Sequence, residues 1–159
     1  MKIMGIDAST KKTGVAFFED DVLKEHRLID CSKIISVDNR MNQMILNIHA
    51  VINYWKPEYI AIENSWVGVN PKVSKLISEV IGGTRAAAAR HSIDFIEYEP
   101  NEWRSLVGIY TKTTKREVLK SISIKMVNDK FKLDVNDDEA DAILIAQARI
   151  NDLKGEKVL

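Results

Sequence analysis

The chain opens on Lys2-Ile3-Met4-Gly5-Ile6, an apolar run that hardly alternates, so residues 2–8 read as a strand covered on both faces. Thr13-Gly14-Val15-Ala16-Phe17-Phe18 reads as its hairpin partner across a turn from Ser9 to Lys12, and residues 22–31 as a third strand. From Met41 the apolar positions fall at 41, 44, 45, 48, 51, 52 and 55, which is helical spacing with one buried stripe and Asp38 as N-cap. Pro57 stops that helix and Tyr59–Glu63 forms a fourth strand. Residues 65–72, with Gly68, Asn70 and Pro71, read as a loop. A second helix follows over 73–90, and its Gly82, Gly83 and Ala86 to Ala89 would let another helix approach closely. A fifth strand covers 92–98. Thr114-Lys115-Arg116-Glu117 is a capping box opening a third helix, and Asn136 with Glu139 is a weaker one opening the last. The order predicts an α/β fold, a mixed five-stranded sheet flanked by helices, in a single domain spanning 1–159.

Against this pattern, four acids stand out. Asp7 ends the first apolar strand and Glu63 ends the fourth. Asp138 and Asp141 lie three apart on one face of the last helix, in its first turns, where the macrodipole favours anions. Asp137 and Asp141, four apart, would chelate as well, so the choice between Asp137 and Asp138 stays open. Two strand ends and one helix face can surround a common point. Carboxylates that close raise each other's pKa unless cations neutralise them. Hard divalent ions with oxygen ligands do this, and a pair of them serves in-line phosphodiester cleavage.

Composition narrows the setting. The 159 residues are 45% apolar and 29% charged, as in an ordinary globule, and the lone Cys31 favours a reducing compartment. No stretch is long and apolar enough to span a membrane. The formal charge is zero, but assigning four carboxylates to metal leaves a basic surplus of four. Cations concentrate between Lys112 and Lys132, and again between Lys72 and Arg90. Two basic segments around an acidic centre suggest a groove that tracks phosphates, with Lys72, Lys75, Arg85, Lys112, Lys115 and Arg116 as its contacts. Lys115 precedes Val118 and Leu119 on the inward stripe of its helix. There its stem either snorkels along the core or carries the ammonium to the scissile phosphate. Trp66, three residues past Glu63, is an aromatic in a polar loop that could stack on an unpaired base.

Together these motifs resemble a RuvC-type Holliday junction resolvase of the ribonuclease H-like superfamily. Gly5-Ile6-Asp7 with Thr13-Gly14 is similar to the family's opening strand and turn. Ile60-Ala61-Ile62-Glu63 with Trp66 is similar to its second acidic motif, and Val107-Gly108 with Lys115 and Val118 to its basic segment. Asp138-Glu139-Ala140-Asp141-Ala142 is similar to its C-terminal helix. The resemblance implies a homodimer that nicks two opposed strands of a four-way DNA junction with Mg2+ or Mn2+, two ions per site. It also implies Asp7, Glu63, Asp138, Asp141 and Lys115 as catalytic residues. Ala8-Ser9 stands where the family has Pro-Gly, and Trp66 where it has Phe. Those departures suit a small phage-encoded member working in the cytoplasm of a bacterial host. Two alternatives stay open: a junction-binding protein without catalysis, and a related nuclease acting on RNA.

Overall fold

The computed structural model describes residues 1–64, 70–110 and 115–155. Its strands are β1 (Lys2–Asp7), β2 (Lys12–Glu19), β3 (Val22–Asp30), β4 (Tyr59–Glu63) and β5 (Asp94–Tyr98). Its helices are α1 (Val37–Trp55), α2 (Pro71–Arg90), α3 (Pro100–Leu106), α4 (Arg116–Phe131) and α5 (Asp137–Lys154). The strands lie in the order β3-β2-β1-β4-β5. β1–β2 and β2–β3 run antiparallel, whereas β1–β4 and β4–β5 run parallel. This is the mixed five-stranded sheet the pattern predicts.

Several elements differ from those the sequence predicts, β5 among them, which begins at Asp94 and not at 92. α1 begins at Val37, with the Ser36 hydroxyl accepting from the Asn39 amide at 3.4 Å, and Asp38 lies inside its first turn. An apolar stripe reports where a helix is buried, and that stripe starts a turn after the helix does. α2 begins at Pro71, capped by the Asn70 side chain, so part of the expected loop is helix. α3 has no counterpart among the predicted elements: seven residues make too short a stripe to show a period, and its one buried side chain is Trp103.

Side-chain alternation divides the sheet into two faces. Met4, Ile6, Val15, Phe17, Ile60 and Ile62 pack under α1 and α2. Ile3, Ala16, Phe18 and Ala61 pack under α3, α4 and α5. Gly5 and Asp7 share the parity of Ile3, and Glu63 shares that of Ala61. The strand pattern therefore aims both terminal acids at the α5 side.

On that side the strand residues are small, which lets α5 lie close. A Cβ on Gly5 would meet the Ala142 carbonyl oxygen at 2.2 Å and the Ala146 Cβ at 2.8 Å. One on Gly14 would meet the Asp138 carbonyl oxygen at 1.9 Å. Ala140, Ala142, Ala146 and Ala148 are all buried at this seam. The glycines and alanines fix the height and register of α5 over β1 and β2.

The small residues of α2 serve a similar purpose within the chain. A Cβ on Gly83 would meet the side chain of Ile45 on α1 at 3.0 Å, and Ala87 and Ala88 are buried. Gly82, Ala86 and Ala89 face outwards.

Candidate active site

Asp7 is the hub. It ends β1, and its carboxyl is pushed well above the usual range, first by burial and then by the charges of Asp141, Glu63, Asp138 and Asp137. β4 runs parallel to β1 beside it, so Glu63 emerges from the same end of the sheet. Burial raises Glu63, opposed by an indole N–H from Trp103 and by the nearby Arg104 and Arg116. That indole donates to Glu63 Oε2 at 2.6 Å, and an Arg104 nitrogen stands 3.8 Å from the same oxygen.

Asp138 and Asp141 come from the start of α5, capped by Asn136, whose Oδ1 accepts from the Glu139 amide at 2.9 Å. Glu139 itself turns away to His26, 2.8 Å from its Nδ1. Burial pushes Asp141 up to about 6; the Ser123 hydroxyl opposes that rise and Glu63 adds to it. Its Oδ1 is buried with no hydrogen-bond partner among the described residues. Asp138 is raised by burial and by Asp137. Asp137 is lowered, since a hydrogen bond and charge from Lys120 outweigh its burial, and the Lys120 ammonium lies 2.5 Å from it.

The donors fit a hard cation. All are oxygens, and a buried carboxylate oxygen without a partner is costly unless something fills it. Among the described residues, no three acidic, histidine or cysteine side chains converge tightly enough to clamp an ion as the chain stands. Unneutralised carboxylates repel, and Glu63 and Asp137 are each drawn toward protein donors. Asp7, Glu63, Asp138 and Asp141 are the residues that could hold metal, and Asp137 is the one already engaged by a lysine.

Among the expected cations, Lys115 is placed differently. α4 turns Ser123 and Val127 inward, and Lys120 falls on the same side. Lys115 is instead the exposed N-cap residue, and Val118 is 42% exposed, so the expected inward stripe through Lys115 and Val118 does not exist. A groove of about 360 Å³ runs beside Asp138, lined by Ser9, Lys11, Lys12, Arg116, Lys120 and Asp137 among others. Lys72 and Lys75 are exposed in the first turns of α2. Arg85 is drawn to Glu97 and lies over the Phe95 ring at 4.6 Å. Trp66, Lys112 and Thr114 lie outside the described residues. Sequence reasoning missed Trp103, Arg104, Lys120 and Ser123, whose helices either lack a legible period or carry a polar residue on the buried stripe.

A cleft of about 330 Å³ between α1 and α2, lined by His49, Asn53, Arg90, His91 and apolar neighbours, lies on the opposite side of the sheet and contains no carboxylate. Its chemistry is unrelated to that of the acids.

The family model described as crossover junction endodeoxyribonuclease RuvC matches residues 3–149. A relative of that name from Rickettsia prowazekii is 28% identical over 150 residues, covering 92% of this chain and 94% of its own. The chain also superposes on Thermus thermophilus RuvC in complex with a Holliday junction substrate, with TM-score 0.79, 16% identity and coverage of 98% and 96% of the two chains. Fowlpox virus resolvase, solved with Holliday junction DNA, gives TM-score 0.64 at 17% identity, over 96% of this chain and 99% of that one.

Proposed function

The chain belongs to the RuvC family of crossover junction endodeoxyribonucleases, and from that premise we propose that it resolves four-way DNA junctions by metal-dependent nicking, with Asp7, Glu63, Asp138 and Asp141 as the ligands. The observation that carries this reading is that the ends of β1 and β4 and the first turn of α5 lie together, Asp7 opposite the Gly14 on which Asp138 rests, with the partnerless Oδ1 of Asp141 beside them.

Two Mg2+ or Mn2+ ions bound there would supply an activated water and stabilise the leaving 3′ oxygen. The protein's own groups do the rest. Asp7, on which the charges of the other three act, would be a ligand held at the end of β1. Asp141 is held by Ser123 and has Oδ1 to offer; Glu63 is held by Trp103 and Arg104 on one oxygen. Asp138 ligates in preference to Asp137, because Lys120 already neutralises Asp137. Arg116, Lys120, Lys11 and Lys12 bind phosphates flanking the scissile one, with Lys72 and Lys75 extending that grip from α2.

One site cuts one strand, and resolving a junction takes two cuts related by two-fold symmetry. The working form is therefore a homodimer with a self-complementary patch. The outward side of α2, with Gly82, Ala86 and Ala89, suits such a patch better than Ala87, which is 6% exposed and packed in the core. No helix among the described residues is long and apolar enough to cross a membrane, and the substrate would be met in the cytoplasm, that of a bacterial host for a phage-encoded chain.

Labelled four-way DNA, duplex DNA and an RNA–DNA hybrid, each with Mg2+ or with chelator, test this reading. Paired, symmetric nicks in the junction that require the ion are expected. Cutting confined to the hybrid would replace it with an RNA nuclease. Junction binding with no nicks in Mg2+ or Mn2+ would leave a binding protein without catalysis.

A further inference from the structure

We infer that Trp103 is a positioning residue for Glu63, holding that carboxylate as a one-oxygen ligand and so biasing the site toward small, octahedral cations. The inference rests on the metal-site reading above and deepens it.

The anchoring begins outside the site. α3 has Pro100 at its first position and a reciprocal capping box between Glu99 and Glu102. The Asn64 side-chain amide, one residue past β4, donates to Glu99 Oε1 at 2.8 Å and ties the end of that strand to the start of α3. One turn on, Trp103 is 0% exposed, and its Nε1–H donates to Glu63 Oε2 at 2.6 Å. The guanidinium of Arg104 lies over the indole ring, 4.6 Å from its centroid, with a nitrogen 3.8 Å from the same Oε2. The indole hydrogen bond and the guanidinium charge both fall on one oxygen. Glu63 Oε1 takes no hydrogen bond from any described residue.

An indole nitrogen has only a proton to give, and losing its acceptor while buried would leave an unsatisfied donor. Packing holds the ring, the ring holds Oε2, and Oε1 is what remains for a cation. The indole hydrogen bond takes one lone pair of Oε2 and fixes its direction, which favours ligation through the unengaged Oε1 over a grip by both oxygens. Mg2+ requires near-ideal octahedral geometry at about 2.0–2.1 Å, whereas Ca2+ accepts six to eight oxygens and two-oxygen carboxylates readily. Freeing Oε2 would let Glu63 close on the ion with both oxygens, which suits the larger cation.

Two variants separate this role from packing. Trp103→Phe removes the N–H with some volume, and incorporation of 3-benzothienylalanine at 103 removes the N–H while keeping a ring of nearly the same size. Metal binding is read without DNA, from the electron paramagnetic resonance of free Mn2+, with Mg2+ and Ca2+ as competitors. Melting in chelator reports the fold. The benzothienyl protein should melt like the wild type, bind Mg2+ about 10- to 100-fold more weakly, and lose much less affinity for Ca2+. An unchanged ratio of Mg2+ to Ca2+ affinity in that variant overturns the role of Trp103 while leaving the metal site standing. Wild-type protein that binds no Mn2+ overturns the metal site and this inference together. If the Phe variant fails to fold, the benzothienyl result decides.

Discussion

A methyl group on Gly14 would stand 1.9 Å from the carbonyl oxygen of Asp138. Gly14 is also the ladder partner of Asp7 across β1 and β2. The residue opposite the central acid is thus the one on which the first turn of α5 rests. Absence of a side chain at position 14 sets how near Asp138 and Asp141 come to Asp7.

Gly14→Ala should therefore impair stability and chemistry together. The obstructing atoms are backbone, so α5 must shift, at a cost of about 1–3 kcal/mol for overpacking. Cleavage per folded molecule should fall as well, because the shift separates the α5 acids from Asp7. Gly82→Ala is a control for stability alone: nothing within the chain lies within 4 Å of its added Cβ, and the exchange inside a helix should stabilise by up to about 1 kcal/mol. Melting temperatures and single-turnover rates check both. A Gly14→Ala protein with wild-type melting would refute the seating of α5.

Asp138→Asn should abolish metal-dependent nicking, whereas Asp137→Asn should keep most of it. Lys120 neutralises Asp137 at 2.5 Å, and Asp138 has no such partner among the described residues. Freed from Asp137, Lys120 should grip phosphate better, so Asp137→Asn should bind junctions at least as tightly as wild type in a gel-shift titration. The reverse ranking of the two variants in a cleavage assay would make Asp137 the ligand.

The strands, most helices and the four acids were legible because each announces itself locally. Apolar runs end in Asp7 and Glu63, and Asn136 with Glu139 opens α5 as the observed cap. Which face Asp7 and Glu63 turn to is not legible there, because the opening run is apolar on both parities and only the packing of α5 over Gly5 and Gly14 tells the two faces apart. What could not be read was nonlocal. Trp103 matters because α3 folds back onto the end of β4, and nothing near Trp103 in sequence says so. Lys120 was hidden because Ser123, buried in α4, breaks the apolar stripe that would have marked its side as inward. A stripe through Lys115 and Val118 marks the wrong side of α4, since Val118 is exposed.

Acid should stabilise the metal-free protein relative to a variant lacking one member of the cluster. Asp7, Glu63, Asp138 and Asp141 all have raised carboxyls, Asp141 to about 6. A group whose folded pKa exceeds its unfolded value stabilises fully below the unfolded value, near pH 4, and loses that contribution as pH rises through the folded one. In chelator, wild type should lose stability between about pH 4 and pH 7 relative to Asp141→Asn, by on the order of 2 kcal/mol. Mg2+ should restore wild type at neutral pH and leave Asp141→Asn largely unaffected. Parallel melting curves for the two proteins across that range would contradict the raised carboxyl.

Arg116→Ala and Lys12→Ala should weaken binding to all DNA alike. Removing one cation that neutralises a phosphate should reduce the slope of log affinity against log salt by about 0.9. Fluorescence anisotropy in chelator at several salt concentrations measures this without cleavage. An unchanged slope in the double variant would remove the groove beside Asp138 from the DNA path.

The central claim is that acids gathered on Asp7 perform chemistry on a junction that other residues bind. Asp7→Asn with labelled four-way DNA tests it most directly, measuring binding and cleavage on the same preparation in Mg2+. Binding equal to or tighter than wild type is expected, since a negative charge beside the phosphates has gone, together with loss of nicks at every position. Nicking by Asp7→Asn at a rate near that of wild type, or by wild type in excess chelator, would contradict it.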